Sequence, residues 1–215
     1  EISYAHAWYI NRFLETGDRT DLDFVFGQMH GFVDCSVEKR RFWIELRNWN
    51  TSLPPAERVR VMGIDLERMP GISLAYLRRQ LTGKPIPTDL CPIMDRLRAV
   101  AAKPSPGSIR SLTAEMVRSV DAHRADYVRF LGDRWFGFDL ALDNLQDSYR
   151  CRADKAHYDF LRDRVMYSNF RRQAAEAPFV SAYGRVGSDH VLQHRSGGID
   201  HLSSLLNGAG SKWAG

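Results

Sequence analysis

Six polar side chains stand where they could do chemistry: Glu1, His6, Arg60, Asp65, Arg162 and His190. Carboxylate, guanidinium and imidazole together suit a hydrolytic site. The carboxylate would orient a water or a base, and the cationic groups would stabilise charge on a carbonyl oxygen. Each residue also has a plain structural reading. His6 could be a half-exposed residue at a helix start, Asp65 a turn cap, Arg162 a partner for Asp159 or Asp163, and His190 an ordinary loop histidine. Arg162 lies on the same helix side as Tyr158, Val165, Met166 and Asn169, at i, i+4, i+7 spacing. A guanidinium beside an apolar stripe requires an acidic partner, because burying it unpaired is costly. His190 follows the turn Gly187-Ser188-Asp189, just past a predicted strand, where α/β sheets place ligands. No GxSxG elbow, P-loop, GxGxxG or HExxH occurs.

The elements that must position these groups read as mostly helical. Periodicity near 3.6 residues predicts helices over residues 5–16, 21–35, 37–49, 73–81, 92–102, 108–131 and 138–149, and another from Tyr158 to the break before Pro178. Gly17 closes the first, and Ser36 offers an N-cap to the third, with Lys39 rather than Glu at the capping-box position. Phe42, Trp43, Leu46 and Trp49 give that third helix an aromatic face. Residues 58–65, Arg-Val-Arg-Val-Met-Gly-Ile-Asp, alternate and end in a carboxylate, the pattern of a strand. Residues 179–183 read as a second, buried strand. Lys103-Pro104-Ser105-Pro106-Gly107 is a linker, and the Gly- and Ser-containing tail after Leu206 has the composition of a flexible segment. The expected fold is α/β and helix-rich: a few-stranded, mostly parallel sheet in one domain over 1–215, with a helical excursion at about 72–150.

Composition narrows the function classes. The chain has 215 residues, 44% of them apolar, enough for a full core. Its 30 basic and 26 acidic residues are interspersed, so a net charge of +4 marks no basic stripe of the nucleic-acid-binding kind. No apolar run is long enough to span a membrane. Cys35, Cys91 and Cys151 are widely spaced with no CxxC pair, which points to free thiols, neither zinc site nor disulfide framework, and a cytoplasmic location. No cofactor or metal is expected, the partner is a small-molecule substrate, and oligomeric state is not legible.

Five segments in order resemble the erythromycin esterase family. They are Glu1-x-Ser-Tyr-Ala with Asn11-x-Phe-Leu-x-x-Gly17; Phe42-Trp-x-Glu-Leu-Arg47-x-Trp-Asn50; Val61-Met-Gly-Ile-Asp65; Arg162-Asp163-x-x-Met166-x-x-Asn169; and Gly187-x-x-His190-Val191. The resemblance implies an α/β fold with a deep cleft and hydrolysis of an ester, in some members a macrolactone tied to antibiotic resistance. It implies Glu1, Arg162 and His190 as catalytic groups, with His6, Asp65, Met166 and Asn169 contacting the substrate. The family's Gly-Glu-x-x-His-Gly segment, whose histidine activates water, does not occur in this chain and would precede Glu1. The chain is therefore expected to be a truncated domain with little or no esterase activity alone. The family's His-Asn-x-His-Val is here Gly187-Ser-Asp-His190-Val, which argues against macrolides in particular. The alternatives are a helical binding module presenting Phe42, Trp43 and Trp49, and a metal-dependent hydrolase, against which Glu1, Asp65 and His190 show no local ligand spacing.

Overall fold

The computed structural model describes residues 1–29, 36–83, 85–179, 181–184, 186–192 and 200–208. Helix α1 (Tyr4–Thr16) starts where Ser3 accepts the His6 amide and stops at Gly17, whose φ of 76° L side chains rarely adopt. Asp18 caps α2 (Arg19–Gln28), and Ser36 caps α3 (Val37–Thr51) through the Lys39 amide. Proline in the first turn opens both α4 (Pro70–Gln80) and α5 (Cys91–Ala102). A reciprocal Ser105–Ser108 capping box opens α6 (Pro106–Leu131), which bends at His123. Helices α7 (Trp135–Ala153), α8 (Tyr158–Glu176) and the short α9 (Leu202–Leu206) follow. None of these helices is long and apolar enough to cross a membrane.

Helix α1 touches α2, α3, α4 and α7, while α4 to α7 pack on one another; α8 lies on α7, and α9 on α8. One core joins α1 to α7. Phe13, Leu77, Tyr76, Tyr127 and Phe138 are almost fully enclosed in it, and burying a large apolar side chain stabilises by about 1.5–3 kcal/mol. A smaller cluster of Leu66, Cys151 and Val165 lies under the turn that follows residue 65.

The expected sheet is absent. Among the described residues there is no strand, so the α/β assignment gives way to an all-helical architecture, and helices 72–150 form its body rather than an excursion from a sheet. The reason is visible in the hydrogen bonds of residues 58–64. The backbone is extended at Arg58 (φ −67°, ψ 133°), and its neighbours find side chains where a sheet would supply backbone. Asn50 takes both the N–H and C=O of Val59 (2.7 and 3.0 Å), and Asn11 both of Val61 (2.8 Å each). The second expected strand also fails: Ser181, Ala182, Tyr183 and Gly184 are exposed and unladdered, and Val180 lies outside the described residues. So do 30–35, including Cys35 at the end of the predicted second helix, and the tail beyond Gly208.

Candidate acid–base site

Residues 63–67 form the frame, and helices α7 and α8 hold their backbone with side chains. Gln173 donates to the Gly63 carbonyl (2.9 Å), Asn169 to Ile64 (3.0 Å) and Asn144 to Asp65 (2.9 Å). Ser148 and Arg152 both donate to the Glu67 carbonyl (2.5 and 3.1 Å). The amino-terminal residues lie alongside, with the Asp65 amide donating to the Ile2 carbonyl at 3.0 Å. Gly63 is required here: a Cβ would overlap the Ser3 carbonyl.

The carboxylates of Glu1, Asp65 and Asp163 converge on this frame with Arg162, Arg68, His190 and His201. Arg162 of α8 grips Asp65 with two prongs, Nε to Oδ1 at 2.8 Å and Nη2 to Oδ2 at 2.9 Å. Its Nη2 also reaches Glu1 Oε2 at 2.7 Å. Asp65 has no exposed side-chain surface, so this bidentate pair satisfies a charge that water cannot reach. Its Oδ1 also accepts the Leu66 amide, so Asp65 caps its turn as well as pairing. Asp163, next to Arg162 in sequence, does not pair with it. Its Oδ1 instead accepts from His190 Nδ1 in a very short hydrogen bond, and its Oδ2 lies 3.3 Å from His201 Nδ1. His190 Nε2 stands 3.6 Å from Glu1 Oε1. That same oxygen accepts the Gly187 amide at 2.6 Å.

Burial and partners set the charge states. The hydrogen bond to Asp163 outweighs burial and raises the His190 pKa above its ordinary value. Burial would raise the Glu1 carboxyl, but the Gly187 amide and Arg162 hold it down at about 2. His6 moves the other way: burial pushes it down to about 4. Burial also pushes up the pKa of Glu67, although Ser3 and Ser73 donate to its carboxylate.

The structure thus brings Glu1, Asp65, Arg162 and His190 together. Asn169 works on the frame, holding Ile64. Met166 is fully buried, and Arg60 is exposed away from the cluster. His6, expected at the surface, is 6% exposed; it lines a cavity of about 50 Å³ with Glu1, Ser3, Glu67 and Arg68. Sequence reasoning missed three participants: Asp163 as the histidine's partner, His201 sharing that carboxylate, and the buried Glu67 with its serine donors. The adjacency of Arg162 and Asp163 was the available signal, since two neighbouring charges on a half-apolar helix face cannot both be solvated. The other two are long-range and leave no local mark. Of the aromatic face, Trp43 and Leu46 pack on the core, whereas Phe42 and Trp49 are each 53% exposed.

No group of three or more His, Cys, Asp or Glu among the described residues is placed to hold a metal ion. Arg162 bridges the carboxylates of Glu1 and Asp65. Comparison with models of protein families, with curated proteins and with solved structures finds no match to this chain.

Proposed function

We propose that this cluster is the acid–base centre of a hydrolase that cleaves a small-molecule ester with activated water. The observation that carries the reading is the Asp163–His190 pair, with Nε2 directed toward Glu1. Asp163 accepts at Nδ1, so the neutral ring presents its Nε2 lone pair and the protonated ring presents an N–H. A water seated beside this pair, within hydrogen-bond reach of both Nε2 and Glu1 Oε1, would meet a base and an orienting carboxylate at once. As the tetrahedral intermediate collapses, the imidazolium returns its proton to the leaving alkoxide. Arg162 keeps Nη1 without a partner among the described residues, free to stabilise the developing oxyanion. The five segments that resemble erythromycin esterases support ester hydrolysis at Glu1, Arg162 and His190; the histidine that activates water in that family does not occur in this sequence, and His190 is proposed in its place. Free thiols at Cys91 and Cys151 suit a reducing, cytoplasmic setting.

The test uses residues 1–215 with a panel of p-nitrophenyl and lactone esters and with a phosphonate that mimics the tetrahedral intermediate. The phosphonate should move the His190 ring signals in NMR. Turnover should be slow, because the Gly-Glu-x-x-His-Gly segment is absent from the sequence, and should fall to the buffer rate in His190→Gln and Arg162→Lys. A phosphonate that leaves His190 unmoved, together with the same rate in His190→Gln, would refute the reading. A helical binding module would then be favoured, on the exposure of Phe42 and Trp49.

A further inference from the structure

Residues 58–64 are hydrogen-bonded along one edge and open along the other. In an extended chain the N–H and C=O of alternate residues point to opposite edges. The odd-numbered edge is filled: Asn50 holds Val59, Asn11 holds Val61, and Gln173 takes the Gly63 carbonyl. On the even-numbered edge, Asn169 takes the Ile64 carbonyl. The N–H groups of Arg60, Met62 and Ile64, and the C=O groups of Arg58, Arg60 and Met62, have no partner among the described residues. The two asparagines grip both polar groups of residues two apart, the two-residue period of an extended chain. A row of backbone donors and acceptors in that state is the template on which an extended peptide adds as a strand.

We propose that the open edge of residues 58–64 receives an extended peptide bearing carboxylates at alternate positions. The alternation of side chains selects this chemistry. Arg58 and Arg60 are exposed on one face, while Val59, 40% exposed, and the half-buried Val61 lie on the other. A strand with acidic residues at every second position sets them across from the arginines and its intervening apolar residues across from the valines. The same alternation disfavours pairing with a second copy, since that brings the arginines of both chains onto neighbouring strands. Trp49, 53% exposed, precedes the Asn50 that holds Val59 and offers apolar surface near the first turn of such a strand.

The experiment is backbone amide hydrogen exchange by NMR on residues 1–215. One probe is acetyl-Thr-Glu-Val-Glu-Val-Glu-Thr-amide, and the other is the same peptide with Lys for Glu. At millimolar acidic peptide the Arg60 and Met62 amides should slow at least tenfold. The Val59 and Val61 amides, already bonded to Asn50 and Asn11, should not change. The Lys peptide should protect nothing. Arg60→Glu should weaken the acidic peptide at least tenfold and admit the Lys peptide. Met62→Pro, which removes a donor from the open edge alone, should abolish binding while leaving the helical circular dichroism unchanged. Equal protection by both peptides, or none by the acidic one at millimolar concentration, would overturn the proposal. So would Arg60 and Met62 amides already slow in a dimer of the free protein.

Discussion

Replacing Arg162 by methionine tests how the site is held together. The guanidinium makes two bonds to Asp65 and one to Glu1, all between 2.7 and 2.9 Å, and Asp65 has no exposed side-chain surface. Removing one partner of a buried pair costs about 3–5 kcal/mol, because the other charge stays buried. Two contacts survive to temper the loss: the Leu66 amide on Asp65 Oδ1 at 2.8 Å, and the half-exposed Arg68 Nε at 3.4 Å from Oδ2. The expected cost is therefore at the low end, about 3 kcal/mol, or a fall in Tm of about 6–12 °C for a chain of this size. Asp65→Asn should cost about 2 kcal/mol in the parent protein and much less in Arg162→Met, where it removes the stranded charge. Urea unfolding at pH 7, followed by circular dichroism on all four proteins, gives the coupling energy, expected near 2 kcal/mol. A cost below about 1 kcal/mol for Arg162→Met, or additive single effects, would refute the argument that Arg162 serves as Asp65's counter-charge.

Three further outcomes follow from the same geometry. His6 has a folded pKa near 4 against 6.5 unfolded, so its contribution is full above pH 6.5 and is lost as pH falls through 4. The total is about 3 kcal/mol, and His6→Leu should flatten unfolding free energies across that window. His190 has a raised pKa, so the stability of its pair with Asp163 is full below pH 6.5 and fades as pH climbs through the raised value. NMR titration of His190 should show a lower pKa in Asp163→Asn, and an unchanged pKa would sink the dyad. Gly63→Ala places a methyl against the Ser3 carbonyl, so it should cost more than about 2 kcal/mol in urea unfolding, as overpacking against rigid backbone does.

Helices α1 to α8 were legible because each carries its own 3.6-residue stripe, and their predicted and observed bounds differ by a few residues at most wherever both are described; the five-residue α9 is too short to show such a stripe and was not predicted. The sheet was misread for a definite reason. Arg-Val-Arg-Val alternation reports an extended backbone, and Arg58 is extended, but local alternation does not say whether the neighbouring edge is another strand or a side-chain amide. Here it is Asn11 and Asn50, the former 50 residues away. The site was half legible. Arg162 was recognised as needing an acid, but the candidates were its neighbours Asp159 and Asp163, whereas its partner Asp65 lies 97 positions away. His190 stood out by its turn. Its partner Asp163 was already spoken for in the local reading.

The side-chain amides around residues 59–65 have a consequence for inherited variation. In a β-sheet the ladder is made of backbone, so nearly any residue in the neighbouring strand preserves it. Here the shape of the segment depends on the chemical identity of Asn11, Asn50, Asn144, Asn169 and Gln173, five side chains scattered over α1, α3, α7 and α8. A saturating mutational library should therefore find these five amides nearly as intolerant as the charged groups, although none takes part in the proposed chemistry. Only the paired donor and acceptor of a carboxamide match the N–H and C=O of one residue, so even aspartate at position 11 or 50 would lose a hydrogen bond and set a carboxylate against a carbonyl.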